Sequence, residues 1–316
     1  MEMRAVTDLS VRQLADSDLG VADRVLREAF DSFTGARNLF GDRDYVRTRW
    51  RADPVHAIAA DADGAFAGSN FVACWGTLGF FGPLSVLPAL WDRGIAKALM
   101  ETTMDMFTAA GIRHAGLFTF PHSPKHLGLY QRFGFWPRFL TPVLTKTVPR
   151  GPSIDGSWRS LSELDEGERE QAAKECREIA SALWEGLDLE REIHATAAQR
   201  LGDTLLVADD RITAFAVCHA GAGTEAGTGS CYVKFGAVRP GAGARVFDRL
   251  LDACEAFARR KAAPQLELGV STACHEAYRH LADRGFRAGQ LIGVNMHRPN
   301  EAAYHRPGVY AVSDWR

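Results

Sequence analysis

The chain has 316 residues, 46% of them hydrophobic and 24% charged, with a formal net charge of −2. That length exceeds the roughly 100–200 residues of one domain and predicts two, while the composition excludes a disordered chain and the balanced charge does not recommend a polyanionic partner, so no nucleic acid is expected. The opening MEMRAVTDLSVRQLADSD lacks a signal-peptide core and no later run reaches the ~20 apolar residues that cross a bilayer, so a cytoplasmic protein with no membrane partner is expected.

In chain order, a short strand-like AVTDLSVRQL leads into the helix-like LGVADRVLREAF, where Val21, Val25, Leu26 and Ala29 recur at helical spacing. A strand pair follows in HAIAADADGAFAGSNFVACW, turning at Asp63-Gly64, and then the strand TLGFFGPLSV. A glycine-containing turn precedes a helix whose Leu99, Thr103, Met106 and Ala110 share a face, which reads as core. The strand HAGLFTF then enters PHSPKHLGLYQRFGF. There Ser123 suits an N-cap, Pro124 the first helical position and Gly134 the left-handed residue past the helix end.

PRGPSIDGSW, with two prolines and two glycines, reads as a linker. Beyond it the same order returns: WRSLSELD, EREQAAKECREIASAL, a strand pair in TLLVADDRITAFAVCHA, the strand SCYVKFGAV and a helix with Val246, Leu250, Cys254 and Phe257 on one face. QLELGV and STACHEAYRHLADRGF close the series, with Gly285-Phe286 in the place of Gly134-Phe135. Two copies of one α/β unit are the simplest reading. The predicted domains are 1–148 and 158–298, with a linker at 149–157 and a tail at 299–316. Six cysteines without C-x-x-C spacing predict neither a disulfide nor a metal site.

The stretch LSVLPALWDRGIAKALM carries the chemistry. A strand delivered through small residues into a helix leaves main-chain N–H groups free at the positive end of the helix dipole, an arrangement suited to phosphate. Gly94 and Ala96 allow close approach of a diphosphate, and Arg93 and Lys97 add positive charge. An ordinary strand-to-helix turn is the alternative.

The turn resembles the pyrophosphate loop of the GNAT superfamily of N-acetyltransferases, V-x-P-x-x-[QR]-x-x-G-x-[GA], through Val86, Pro88, Gly94 and Ala96, with Trp91 replacing Gln or Arg. The second family signature, N-x-x-A followed by L-Y-x-x-x-G-F, is similar at Leu129, Tyr130, Gly134 and Phe135, with Ser123 and His126 replacing Asn and Ala. The resemblance spans about 50 residues and implies, for each half, a mixed, largely antiparallel sheet splayed between its fourth and fifth strands and flanked by helices. It also implies acetyl-CoA or another acyl-CoA as cosubstrate. The pantetheine arm would pair with the main chain of Leu84, Ser85 and Val86. The diphosphate would rest on the amides of Trp91, Asp92, Arg93, Gly94, Ile95, Ala96 and Lys97, with Ser123 at the family's helix-start position.

On the same resemblance, Tyr130 falls at the position of the acid that protonates the departing thiolate, and a phenol keeps its proton at neutral pH. A half-buried structural aromatic is the other reading. The fourth strand offers no carboxylate as base, which leaves His122 as the nearest titratable candidate in sequence, or as a residue that merely completes a turn. Asp42 and Asp44 lie in the segment that commonly covers the acceptor, where they could attract a cation or simply be solvated. The second half has Leu281 at the place of Tyr130, with Tyr278 one turn earlier, and reads as a noncatalytic partner; Gly241 and Gly243 retain the backbone chemistry of the turn, so CoA binding there stays open. The expected function is acetyl transfer to a small-molecule amine. The alternatives are S- or O-acyl transfer, thioester decarboxylation or hydrolysis on a carrier-bound substrate, and acyl-CoA binding without turnover.

Overall fold

A computed structural model describes residues 7–149, 151 and 158–316, so most of the 149–157 linker lies outside the described residues. The first half runs β1 (Leu9–Gln13), α1 (Leu19–Thr34), α2 (Tyr45–Trp50), β2 (Val55–Ala62), β3 (Ala65–Trp75), β4 (Leu78–Phe81), β5 (Ser85–Val86), α3 (Ile95–Ala109), β6 (His114–Thr119), α4 (Pro124–Gln131) and β7 (Trp136–Thr147). The second runs β8 (Trp158–Ser160), α5 (Glu166–Leu183), α6 (Glu190–Ala198), β9 (Gly202–Ala208), β10 (Ile212–Gly221), β11 (Gly227–Val238), α7 (Gly243–Arg260), β12 (Gln265–Gly269), α8 (His275–Asp283), β13 (Arg287–Arg298) and β14 (Ala311–Val312).

The strands form one mixed sheet in the order β1-β2-β3-β4-β6-β13-β7-β12-β11-β10-β9-β8. Its centre shows an exchange that local sequence does not announce: the closing strand of each half lies in the territory of the other. β13 inserts between β6 and β7, pairing antiparallel with both, and β7 pairs antiparallel with β12. The halves are therefore continuous through backbone hydrogen bonds, and Trp75, Leu78 and Phe80 of the first half pack in the same core as Phe215, Phe235 and Phe257 of the second.

Two faces are covered differently in the first half. Leu19, Ala22 and Leu26 of α1 and Val46 of α2 pack with Ala57, Ala59 and Phe71. On the other face, Leu99 of α3 packs with Ile58, Ala60 and Val86, and Met100, Phe107 and Tyr130 with Val72 and Phe81. The alternation along β2 and β3 produces these two apolar surfaces.

The expected strand TLGFFGPLSV is broken in two. β4 pairs with β3 and, in parallel, with β6 as far as Phe81↔Leu117, whereas β5 pairs with β3 at Gly68↔Val86 and Ser69↔Ser85. Pro83, lacking an N–H, falls in the interruption. Gly68 permits the close crossing, since a Cβ there would stand 2.5 Å from the Ser85 carbonyl oxygen. The result is a split in the sheet: β5 follows β3 while β6 continues without it.

Candidate active site

The mouth of the split is the 91–97 turn. Asp92 and Gly94 both take left-handed backbone angles, φ 64° and 83°, and α3 begins with no side-chain cap. Its first hydrogen bond runs from the Ala98 N–H to the Gly94 oxygen at 3.0 Å. The amides of Ile95, Ala96 and Lys97 thus have no partner one turn back, as at any uncapped helix start. A Cβ at Gly94 would meet no atom within 4 Å, so space lies directly beside the turn. These features fit a diphosphate.

The charges around the turn are partly engaged. Lys125, from the start of α4, pairs with Asp92 at 2.8 Å and places its ammonium 5.2 Å from the Trp91 ring centroid. Lys97 pairs with Glu101 at 3.3 Å. The Trp91 indole donates to the Val86 carbonyl at 2.7 Å. Where the family pattern has Gln or Arg, this side chain therefore folds onto the strand edge that the pantetheine arm is expected to use. A carbonyl oxygen accepts two hydrogen bonds, so the two uses are compatible.

Of the strand residues in that edge, Ser85 and Val86 are buried and Leu84 is half-buried in the interruption before them. The Ser69 and Ser85 hydroxyls stand 3.4 Å apart. Beneath the fork lies Tyr130, packed edge-on against Phe81 with ring centroids 5.6 Å apart. Burial raises its pKa.

Ser123 caps α4, accepting from the His126 N–H at 3.4 Å, and its hydroxyl shares a 2.6 Å hydrogen bond with His126 Nδ1. His126 stands one turn before Tyr130, hence on the same side of the helix. In sequence His126 stands out only as a mismatch to the family's Ala, and its i, i+4 spacing to Tyr130 is the signal that marks it. Burial, followed by the charges of Lys125 and His122, lowers its pKa. His122 is exposed and stacks on Phe33, with centroids 6.0 Å apart and planes 17° apart. Phe33 and Phe120 pack at 4.9 Å, and Phe33 meets His126 edge-on at 4.7 Å, so α1 and the end of β6 converge on the start of α4.

Asp42 and Asp44 serve the scaffold in this arrangement. Asp42 accepts from the Thr228 amide and hydroxyl at 2.9 and 2.5 Å, and Asp44 caps α2 by accepting from the Arg47 N–H at 2.9 Å. Arg49 of α2 is buried, bonded to Glu225 at 3.0 and 3.1 Å and to the Gly82 carbonyl. Lys234 joins the group, 2.8 Å from Glu192 and 3.1 Å from Glu225. This inter-half network fixes α2 over the end of β4. In the second half, Leu281 is wholly buried and Tyr278 packs partly against the core, which leaves no phenol at the place of Tyr130.

Comparison with known proteins bears on the fold and on the first half. Residues 23–135 match the acetyltransferase (GNAT) family model, and no curated protein sequence matches the chain. Among solved structures, a candidate acetyltransferase from Pyrococcus horikoshii superposes with a TM-score of 0.71 at 14% identity, covering 100% of this chain and 98% of that one. A GCN5-related N-acetyltransferase from Sphaerobacter thermophilus gives 0.62 at 16% identity, over 93% and 96%. A tandem GNAT protein from the clavulanic acid biosynthesis pathway gives 0.57 at 14%, over 92% and 98%. The first half thus carries a segment that matches the acetyltransferase (GNAT) family model, and over nearly its whole length the chain shares the fold of these GNAT structures. The family uses acetyl-CoA, and among the described residues no helix is long and apolar enough to cross a membrane.

Proposed function

We propose that the first half, residues 1–148, transfers acetyl from acetyl-CoA to a small-molecule amine by direct attack. Residues 158–298 act as its noncatalytic partner, joined through the 149–157 linker. The observation that carries the reading is the Tyr130 ring, buried and packed edge-on against Phe81 where β4 and β6 part.

Acetyl-CoA supplies an activated thioester acyl group. The uncapped turn of α3 would hold its diphosphate through the amides from Trp91 to Lys97, and the edge at Leu84, Ser85 and Val86 would hold its arm. Tyr130, kept protonated by burial, donates its O–H to the sulfur as the C–S bond breaks and the C–N bond forms. The His122 and His126 pair takes the amine proton. His126 is the better fixed of the two, and its lowered pKa keeps it neutral near pH 7 and able to accept. Phe33 and Phe120 present apolar faces beside these rings.

A screen of amines against acetyl-CoA with free-thiol detection tests the activity. Tyr130→Phe should lower turnover about 10²–10⁴-fold, the range of a lost acid, with CoA affinity nearly unchanged. Undiminished turnover in that variant removes Tyr130 from the chemistry.

A further inference from the structure

The second half begins its own split in the same way as the first. β11 and β12 pair in parallel from Ser230↔Gln265 to Val233↔Leu268, and β11 then runs on to Val238 without β12. In the first half, among the described residues, no strand pairs with the outer edge of β5. In the second, the corresponding edge is taken.

β14 lies antiparallel on it, with Gly236↔Val312 and Ala237↔Ala311, and the Val238 N–H donates to the Tyr310 carbonyl at 3.0 Å. Asp314 then rests on Gly269 at the end of β12, where a Cβ would collide with its side chain. It accepts from the Tyr232 hydroxyl at 2.8 Å, and its main-chain oxygen accepts from Asn295 Nδ2 at 3.1 Å. Trp315 packs on Gly116 of β6 and donates to the Tyr304 hydroxyl at 2.7 Å. Ala311, Val312, Ser313, Asp314 and Trp315 are each no more than 2% exposed. One segment therefore fills the gap from the strand on one side to the strand on the other, satisfying the main-chain groups that a pantetheine arm would need.

We propose that residues 309–315 are a built-in occupant of the second half's cofactor channel, so that the chain holds a single acyl-CoA, in the first half. The stoichiometry rests on the reading of the first half as the acyl-CoA site; the occupancy rests on the packing above. A ligand entering the second channel would have to drive Val312 and Trp315 out of the core and strip Asp314 from Tyr232. The segment also braces the working half. The Arg316 carbonyl accepts from Arg49, whose guanidinium also donates to the Gly82 carbonyl at the end of β4.

Titration calorimetry of CoA into the full chain and into Gly94→Asp tests the stoichiometry. The expected result is a single site that is lost in the variant, where a carboxylate stands in the space beside the turn. Two sites in the unaltered chain, or a site surviving in Gly94→Asp with ligand protection at residues 236–238, overturns the proposal.

If the unaltered chain binds no CoA, the functional reading of the first half fails, and amide hydrogen exchange without ligand decides the occupancy by itself. The Val238 amide should be strongly protected. Gly269→Ala, which pushes a methyl into Asp314, should speed its exchange about 10-fold or more, the effect of a moderate overpacking strain, while β2 and β3 amides stay as they were. Rapid exchange at Val238 in the unaltered chain, or no response to Gly269→Ala, overturns the occupancy.

Discussion

Acidification from pH 7 to pH 5 should destabilise the fold sharply, because a cluster of histidines is buried in the neutral form. His114 Nε2 and His297 Nδ1 share a 3.1 Å hydrogen bond, and His305 packs edge-on against Tyr304 and tilted against Trp315, with ring centroids 4.5 and 4.4 Å apart. His114 Nδ1, His297 Nε2 and both ring nitrogens of His305 are buried without a partner among the described residues. Burial lowers the three pKa values to about 4, about 2 and about 3 for His114, His297 and His305, with neighbouring histidines and Arg138 adding to the shift of His297.

In the unfolded chain each would titrate near 6.5. As pH falls through 6.5 the unfolded state takes up protons that the folded state refuses, so stability declines between pH 7 and the folded values. At pH 5 the deficit is roughly 1.5 pH units at about 1.36 kcal/mol each, or about 2 kcal/mol per histidine and on the order of 6 kcal/mol for the cluster. A typical domain has only about 5–15 kcal/mol in total. The buried carboxylates do not enter this window, since their folded values are lowered and their contribution disappears only below the unfolded carboxylate range near 4.5. Urea unfolding at pH 7, 6 and 5 measures the effect. His305→Phe, which forfeits no hydrogen bond to the described residues, should shed about one-third of the cluster's pH dependence. Stability constant to within about 1 kcal/mol from pH 7 to pH 5 would refute the argument.

Glu225→Ala should cost about 3–5 kcal/mol in urea unfolding at neutral pH, because it leaves Arg49 and Lys234 charged in the interior without that partner; a loss below about 1 kcal/mol would mean the network relaxes or hydrates. Gly68→Ala should weaken CoA binding roughly 5- to 150-fold, the equivalent of about 1–3 kcal/mol of overpacking, by lifting Ser85 off β3 and displacing the strand edge. Unaltered affinity in that variant would detach β5 from cofactor binding.

Elements with their own local signal were legible in the sequence. Ser123, Pro124 and Gly134 mark the bounds of α4, and Asp63-Gly64 marks the β2–β3 hairpin, both as observed. The exchange of β7 and β13 was not, since a strand's alternation tells which face is buried but not which neighbour it takes. The helices α2 and α6 are short and carry too few apolar repeats to stand out from loops. Arg49 and Glu225 lie 176 residues apart and meet only through the docking of the halves. The segment AVSDWR reads as an unremarkable tail, and only the gap beside β11 gives Asp314 and Trp315 their meaning.

On the function proposed above, acetyl-CoA enters the first half's split along β5 and the start of α3. Amide hydrogen exchange of the full chain with and without saturating acetyl-CoA tests it most directly. Slowed exchange at residues 85–86 and 94–97, with residues 239–245 unaffected, is the predicted footprint. Protection confined to 239–245, or none at 94–97 while binding is demonstrated, would contradict it.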